Sequence, residues 1–197
     1  MAKQLILDTS AKYLVVALAE NDKIIDKIQY IAWQRQSEFT ALEIQNILKR
    51  NQTTMREIKR IIVSNGPGSY TGVRIALTLA KFFAISLNIP LCVLSSLQAM
   101  CGVKTKQIAL LDARSKRAYV GLYDKGIKLR DDFVCGLDEL ESLLKKHPDF
   151  EVVGDRFLVG LPEQEIDFPK QMLALSKLVE DHPDVDALVP VYLKEIL

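Results

Sequence analysis

Asp8-Thr9-Ser10 sets a carboxylate beside two hydroxyls at the point where one apolar run gives way to the next. Such a set of oxygens can hold a hydrated magnesium ion and meet a phosphate. Asp112-Ala113-Arg114-Ser115 repeats the arrangement and adds a guanidinium. Two such turns facing one cleft would suit ATP or ADP with magnesium, oxygen ligands serving the metal and Arg114 offsetting phosphate charge. The same residues have an architectural use, because Asp followed by Ser or Thr ordinarily accepts hydrogen bonds within its own turn. The sequence leaves both readings open for Asp8, Thr9, Ser10, Asp112 and Arg114.

The most distinctive segment is Asn65-Gly66-Pro67-Gly68-Ser69-Tyr70-Thr71-Gly72-Val73-Arg74, with glycines for unusual backbone angles just ahead of a predicted helix. Its amides could bind an anion. No Gly-Lys-Ser/Thr follows, however, and the spacing is not that of a dinucleotide fingerprint. A shaped loop that caps the helix at Thr71, or touches another protein, is the favoured reading. Histidine chemistry is scarce: His147 and His182 are the only two, each sits before a proline, and neither belongs to an HxxxH or HExxH spacing. Both are expected in loops. With no histidine near a nucleophile turn, no triad is indicated.

The elements that must position these turns are legible from periodicity. Lys3 to Thr9, Tyr13 to Ala19 and Lys23 to Ile31 predict an antiparallel meander. Ser37 to Arg50 predicts a helix, with Ser37 as its cap and Phe39, Leu42, Ile47 and Leu48 at helical intervals. Arg60 to Ser64 predicts a buried strand, Val73 to Asn88 a second helix and Leu91 to Leu94 a further strand, completing the ribonuclease-H-like order β-β-β-α-β-α-β. An offset of 104 residues carries Leu5-Ile6-Leu7-Asp8 onto Ala109-Leu110-Leu111-Asp112, and Lys12, Val16 and Leu18 onto Lys116, Val120 and Leu122. That pattern indicates an internal duplication. Strands over Gln107 to Leu111, Arg117 to Tyr123, Ile127 to Val134 and Phe150 to Val153 follow, with helices over Leu137 to Lys146 and Lys170 to Glu180 and an extended tail from Leu188 to Lys194. Two lobes are expected, 1–103 and 104–197.

The second helix asks to be covered on more than one side. Arg74, Thr78 and Lys81 form a narrow polar stripe, Ala76, Ala80 and Ala84 a smooth seam opposite, and Leu77, Leu79, Phe82, Phe83, Ile85 and Leu87 a broad apolar arc. We expect part of this arc to meet another chain, with burial under the chain's own first helix as the competing reading.

Composition narrows the classes. Twenty-six basic against 25 acidic residues give a formal net charge of +1, which supplies no global field for a phosphate backbone. Cys92, Cys101 and Cys135 are scattered and odd in number, consistent with a reduced, cytoplasmic setting. The longest apolar run, around Val73 to Leu87, is interrupted by Arg74, Thr78, Lys81 and Ser86 and is not expected to span a membrane.

Ile6 to Ser10, the loop Gly66 to Arg74, Asp112-Ala113-Arg114 and the ending Pro190-Val191-Tyr192-Leu193-Lys194 together resemble the bacterial TsaB (YeaZ) family. The resemblance implies an actin/Hsp70-like (ASKHA) α/β fold of two ribonuclease-H-like lobes. It also implies a cytoplasmic, non-catalytic subunit that pairs with the homologue TsaD and with the ATPase TsaE in threonylcarbamoyladenosine modification of tRNA, touching tRNA only through the complex. The family uses its two N-lobe helices for the partner, or for a homodimer when alone, so Phe39, Leu42, Ala76, Ala80, Phe83 and Ala84 are the expected interface. Free-standing nucleotide phosphotransfer and, less well supported, peptidase activity are the alternatives. Two departures stand out: Gln36 occupies a position where the family commonly has histidine, and the C-terminal lobe is short.

Overall fold

The computed structural model of the chain describes residues 2–32 and 34–193. Its first half is β1 (Lys3–Asp8), β2 (Tyr13–Glu20), β3 (Lys23–Ile31), α1 (Gln36–Arg50), β4 (Ile58–Ser64), α2 (Tyr70–Leu87) and β5 (Leu91–Leu94). The strands form one sheet in the order β3-β2-β1-β4-β5, in which β1 to β3 are antiparallel and β4 and β5 run parallel to β1. Side chains alternate across a strand. Leu5, Leu7, Val16, Ile61 and Val63 therefore pack towards the two helices, while Ile6, Val15, Ala17 and Ile62 pack on the other face. Burial of both faces explains why the central strands read as continuous apolar runs.

The second half repeats the opening with β6 (Lys106–Arg114), β7 (Arg117–Asp124), β8 (Ile127–Lys128), β9 (Phe133–Gly136), α3 (Leu137–Lys146) and β10 (Glu151–Gly154), followed by α4 (Phe168–Leu175). Its sheet has the order β10-β6-β7-β8, with β9 also on β7. β2 and β7 occupy equivalent residues under the 104-residue offset, Tyr13–Glu20 and Arg117–Asp124. After α3 a single parallel strand follows among the described residues, where the first half has two; this is where the short second lobe is reduced. Ala109, Leu111, Tyr123 and Val153 join Ile6, Val15 and Ile62 in one shared cluster that also takes in Met172 and Leu175 of α4.

Several expected boundaries move, each for a visible reason. The strand expected over Ile127 to Val134 is divided, because Asp132 turns inward and accepts hydrogen bonds from Ser95 Oγ at 2.5 Å and Tyr123 Oη at 2.7 Å. Helix α1 begins at Gln36, whose buried side chain donates to Ala11 O at 3.0 Å, so Ser37 lies within the first turn and caps nothing. α2 begins a turn early, capped by Ser69 rather than Thr71: Ser69 Oγ accepts from Gly72 N at 3.2 Å. α4 starts at Phe168, where Asp167 accepts from Lys170 N at 3.2 Å, and stops before Ser176, whose carbonyl accepts from Arg60 at 3.0 Å.

The division at 103 and 104 we keep as a proposal: the first sheet ends at Leu94 and the second starts at Lys106. The chain after α4 returns to the first sheet. Asp181 bridges to Cys92 and takes the Arg60 guanidinium at 2.7 Å, Leu188 is buried beside α2, and Val191 N donates to Asn65 O at 2.7 Å. Residues 189–193 carry no regular structure, and Lys194 of the expected extended tail lies outside the described residues.

One surface device has a pH signature. Glu57 accepts from Thr54 N at 2.7 Å and from Lys3 Nζ at 3.1 Å. The backbone amide first, then the Lys3 ammonium and the Thr54 hydroxyl, hold its carboxyl down at about 2. An unfolded glutamate titrates near ~4.3. The stability it confers is thus complete above that value and is lost as pH falls towards the folded pKa. Melting curves of wild type and Glu57→Gln are expected to differ at about pH 6 and to converge near about pH 2.

Candidate functional site

The turn after β1 is closed upon itself. Asp8 is buried, and its Oδ1 accepts from Ser10 N at 2.9 Å and from the Ser64 hydroxyl. Thr9 Oγ1 donates to Gly72 O at 2.6 Å and accepts from Ala76 N at 3.1 Å, tying the start of α2 to the end of β1. The glycine loop lies directly on this turn. A Cβ on Gly68 would fall 2.2 Å from Ser10 O, and one on Gly72 2.2 Å from Thr9 O. Gly66 has a φ of +105°, and a Cβ there would meet Val191 O at 2.5 Å. These glycines permit backbone to touch backbone.

Several of the loop's amides are spent within the chain. Gly66 N donates to Ser96 Oγ at 3.1 Å, Ser69 N to Ser10 O at 2.8 Å, Gly72 N to Ser69 Oγ and Val73 N to Ser69 O at 2.9 Å. Of the two sequence readings, the shaped, helix-capping loop accounts for this geometry.

The counterpart turn behaves differently. Asp112 is half-buried; its Oδ1 accepts from Arg114 N at 2.8 Å, and its own amide donates to Asp155 Oδ2 at 2.9 Å. Burial pushes the Asp155 carboxyl up, opposed by the Asp112 amide and the Lys12 ammonium. Ser10, Lys12, Gly68 and Tyr70 face Asp112, Arg114 and Asp155 across a cleft of about 410 Å³ between the two repeats, with Tyr119 and Phe157 completing its walls. The structure therefore brings Ser10, Asp112 and Arg114 to one cleft and leaves Asp8 and Thr9 behind it. Asp8 spends its Oδ1 on Ser10 N and the Ser64 hydroxyl and does not line the cleft that Asp112 faces.

Asp155, Tyr119 and Phe157 were missed by sequence reasoning. The one signal for Asp155 was its place after Gly154, at the end of the strand parallel to β6. His147 packs on Phe150 with ring centroids 4.9 Å apart, and His182 Nδ1 accepts from Asp184 N at 3.3 Å, both in connecting segments.

On the outer side of the first half, α1 and α2 lie side by side over the sheet. The expected interface needs correcting here: Ala76, Ala80 and Ala84 are buried among β1 and β4 residues, their small size letting the helix sit close to the sheet. The outward face carries Tyr70 (60% exposed), Phe82 (62%) and Ile85 (49%), with Leu42 (47%) on α1. Phe39 and Phe83 are half-buried at the margin of the core. α2 has the length and composition of a membrane-crossing helix, yet its inward seam is packed on the sheet.

Comparisons with known proteins converge on this architecture. Residues 30–177 match the family model described as "TsaD: tRNA N6-adenosine threonylcarbamoyltransferase". The chain is 31% identical to the tRNA threonylcarbamoyladenosine biosynthesis protein TsaB of Bacillus subtilis, over 96% of this chain and 93% of that one. It is 27% identical to TsaB of Escherichia coli over 77% of this chain and 64% of that one. The structure of YeaZ from Pseudomonas aeruginosa superposes with a TM-score of 0.81 at 20% identity, covering 98% of this chain and 100% of that one, so the fold is the actin/Hsp70-like α/β arrangement. A glycine loop closed on the first aspartate turn, this fold, and identity across nearly the whole length place the chain in the TsaB (YeaZ) family.

Proposed function

We propose that this chain is a non-catalytic subunit in threonylcarbamoyladenosine formation at adenosine 37 of tRNA, acting by binding a TsaD-type enzyme and favouring its productive conformation. The observation that carries the reading is the outward face of α1 and α2. Tyr70, Phe82, Ile85 and Leu42 are large apolar side chains left exposed, beside Arg74 and Thr78, on helices that the chain's own sheet already supports from beneath. Such a patch on a folded chain is the mark of a protein contact. The curated relatives bear names from threonylcarbamoyladenosine biosynthesis, which supplies the pathway.

No nucleophile, base or metal of this chain enters the transfer. A subunit of this kind works by differential affinity for one state of its partner. TsaE joins the assembly, tRNA is contacted through it, and the same helical face makes a homodimer when the partner is absent. The setting is the cytoplasm, where the thiols of buried Cys92 and half-buried Cys135, both pushed up to about 11 chiefly by desolvation, stay protonated.

The test is reconstitution with TsaD, TsaE, threonylcarbamoyl-adenylate and tRNA, with modified adenosine scored after digestion. Omitting this chain is expected to lower product on the order of tenfold or more. Asp8→Asn is expected to support full product formation, since its carboxylate holds a turn. Asp8→Ala, which leaves the Ser64 hydroxyl and Ser10 amide without an acceptor, should lose about 1–3 kcal/mol of stability yet remain active at low temperature. Equal product without the chain would sink the reading. Magnesium-dependent ATP turnover by the chain alone, abolished in Asp8→Asn, would replace it with phosphotransfer.

A further inference from the structure

Between α1 and α2 runs a groove of about 450 Å³, walled by Ala41 of α1 and Ile75, Thr78 and Leu79 of α2, and closed at one end by Tyr70 and Arg74. Arg74 is the only ionised group lining it among the described residues. Its guanidinium lies 3.7 Å from the Tyr70 ring centroid and 5.6 Å from that of Tyr192. The two tyrosines are themselves stacked, centroids 5.2 Å apart and planes 27° from parallel. Among the described residues Arg74 has no carboxylate partner.

Tyr192 reaches this place from the far end of the chain and is held there. Lys81 Nζ donates to Leu188 O at 2.6 Å and to Asp186 O at 3.0 Å, Leu188 is buried, and Val191 N donates to Asn65 O. Gly66 leaves room for the Val191 carbonyl where any side chain would strike it. The exposed guanidinium lies over the Tyr70 ring, which Tyr192 in turn stacks upon. That geometry suits a planar carboxylate.

We infer that the Tyr192–Tyr70–Arg74 stack reads the occupant of this groove: a helical segment of the TsaD-type partner lies between α1 and α2 with a carboxylate directed at Arg74, and the C-terminal tail is part of the docking surface. The inference rests on the proposed pairing with that enzyme and adds the chemistry by which the pairing is recognised. A second copy of this chain is the poorer occupant on charge. α2 contains no acidic residue, and the two carboxylates of α1 are engaged at home, Glu38 by Arg35 at 2.9 Å and Glu43 by Tyr30 Oη and Asn46 Nδ2, each at 3.1 Å. The partner must bring its own.

Calorimetric titration of the full chain with its TsaD, at about 50 and 300 mM salt, tests this. Arg74→Gln is expected to weaken binding about tenfold at the lower salt and to flatten the salt dependence, with Arg74→Lys intermediate. Tyr192→Ala is expected to weaken binding by about threefold to tenfold with an almost unchanged melting temperature, since its ring is half exposed and the Val191 anchor remains. A purely structural role would move the melting temperature and leave the salt dependence alone. Wild-type affinity and salt dependence in Arg74→Gln and Tyr192→Ala would overturn the inference while leaving the pairing intact. Loss of self-association in Arg74→Gln with TsaD affinity preserved would overturn it in favour of a second copy. Failure of the wild-type chain to bind TsaD at all would remove the functional reading on which it rests.

Discussion

Gly72→Ala is expected to lower the melting temperature by about 10 °C, against the sign that helix propensity alone would give. In an exposed helix, alanine in place of glycine stabilises by ~1 kcal/mol. Here the added methyl would sit 2.2 Å from Thr9 O, a backbone atom that cannot rotate away. Relief requires the start of α2 to move off the β1 turn, which stretches the bonds from Thr9 Oγ1 to Gly72 O and from Ala76 N to Thr9 Oγ1. Overpacking costs about 1–3 kcal/mol and each buried hydrogen bond about 1 kcal/mol. A net loss of about 3 kcal/mol shifts the melting point of a chain this size by roughly 6–12 °C. Calorimetric melts of Gly72→Ala beside Thr78→Ala, on the exposed face of the same helix, make the comparison. Equal melting points would mean that the loop does not rest on the turn.

A charge on the inner face of α2 should do more damage still. Ala80 is fully buried among β1, β4 and α1 side chains. Ala80→Asp would bury a carboxylate without a partner, a loss of about 4 kcal/mol or more, a large share of the roughly 5–15 kcal/mol that holds a domain folded. The expected outcome is insoluble or unfolded protein. Phe82→Asp, one face away, should keep the melting temperature within a few degrees and weaken partner binding by about tenfold or more. Together the two variants separate the helix's structural side from its docking side. A folded, soluble Ala80→Asp would contradict the packing described above.

How much of this was legible in the sequence depended on how local the cause was. The strand Leu91–Leu94 and the helix Leu137–Lys146 stand where apolar period and turn residues put them, because both signals lie inside the element. The duplication was legible because β1 and β6 keep the same apolar run before the same aspartate. The break between β8 and β9 was not, because its cause is Asp132 reaching Ser95, a contact 37 residues away. The alanine seam misled for a different reason. Small residues every fourth position let a helix approach either another helix or a sheet, and the spacing does not distinguish them. In the cleft, Asp112 and Arg114 announced themselves, but Asp155 arrives from 43 residues away through the Asp112 amide. The charged end of the groove pairs Tyr70 with Tyr192, which nothing local connects.

The return of the tail to the first sheet has a consequence for biosynthesis. The residues that close the glycine loop, Leu188 to Tyr192, leave the ribosome about 120 residues after the loop they complete, a delay on the order of 10 s at ordinary elongation rates. Throughout that interval Asn65 O and the Tyr70 ring await their native neighbours, and so does the edge of β5 that Asp181 will pair with. Although its two halves open with the same meander, the nascent chain cannot finish its first half before it has made most of its second. Early chain termination would therefore release an incomplete N-terminal half as well as a shortened C-terminal one.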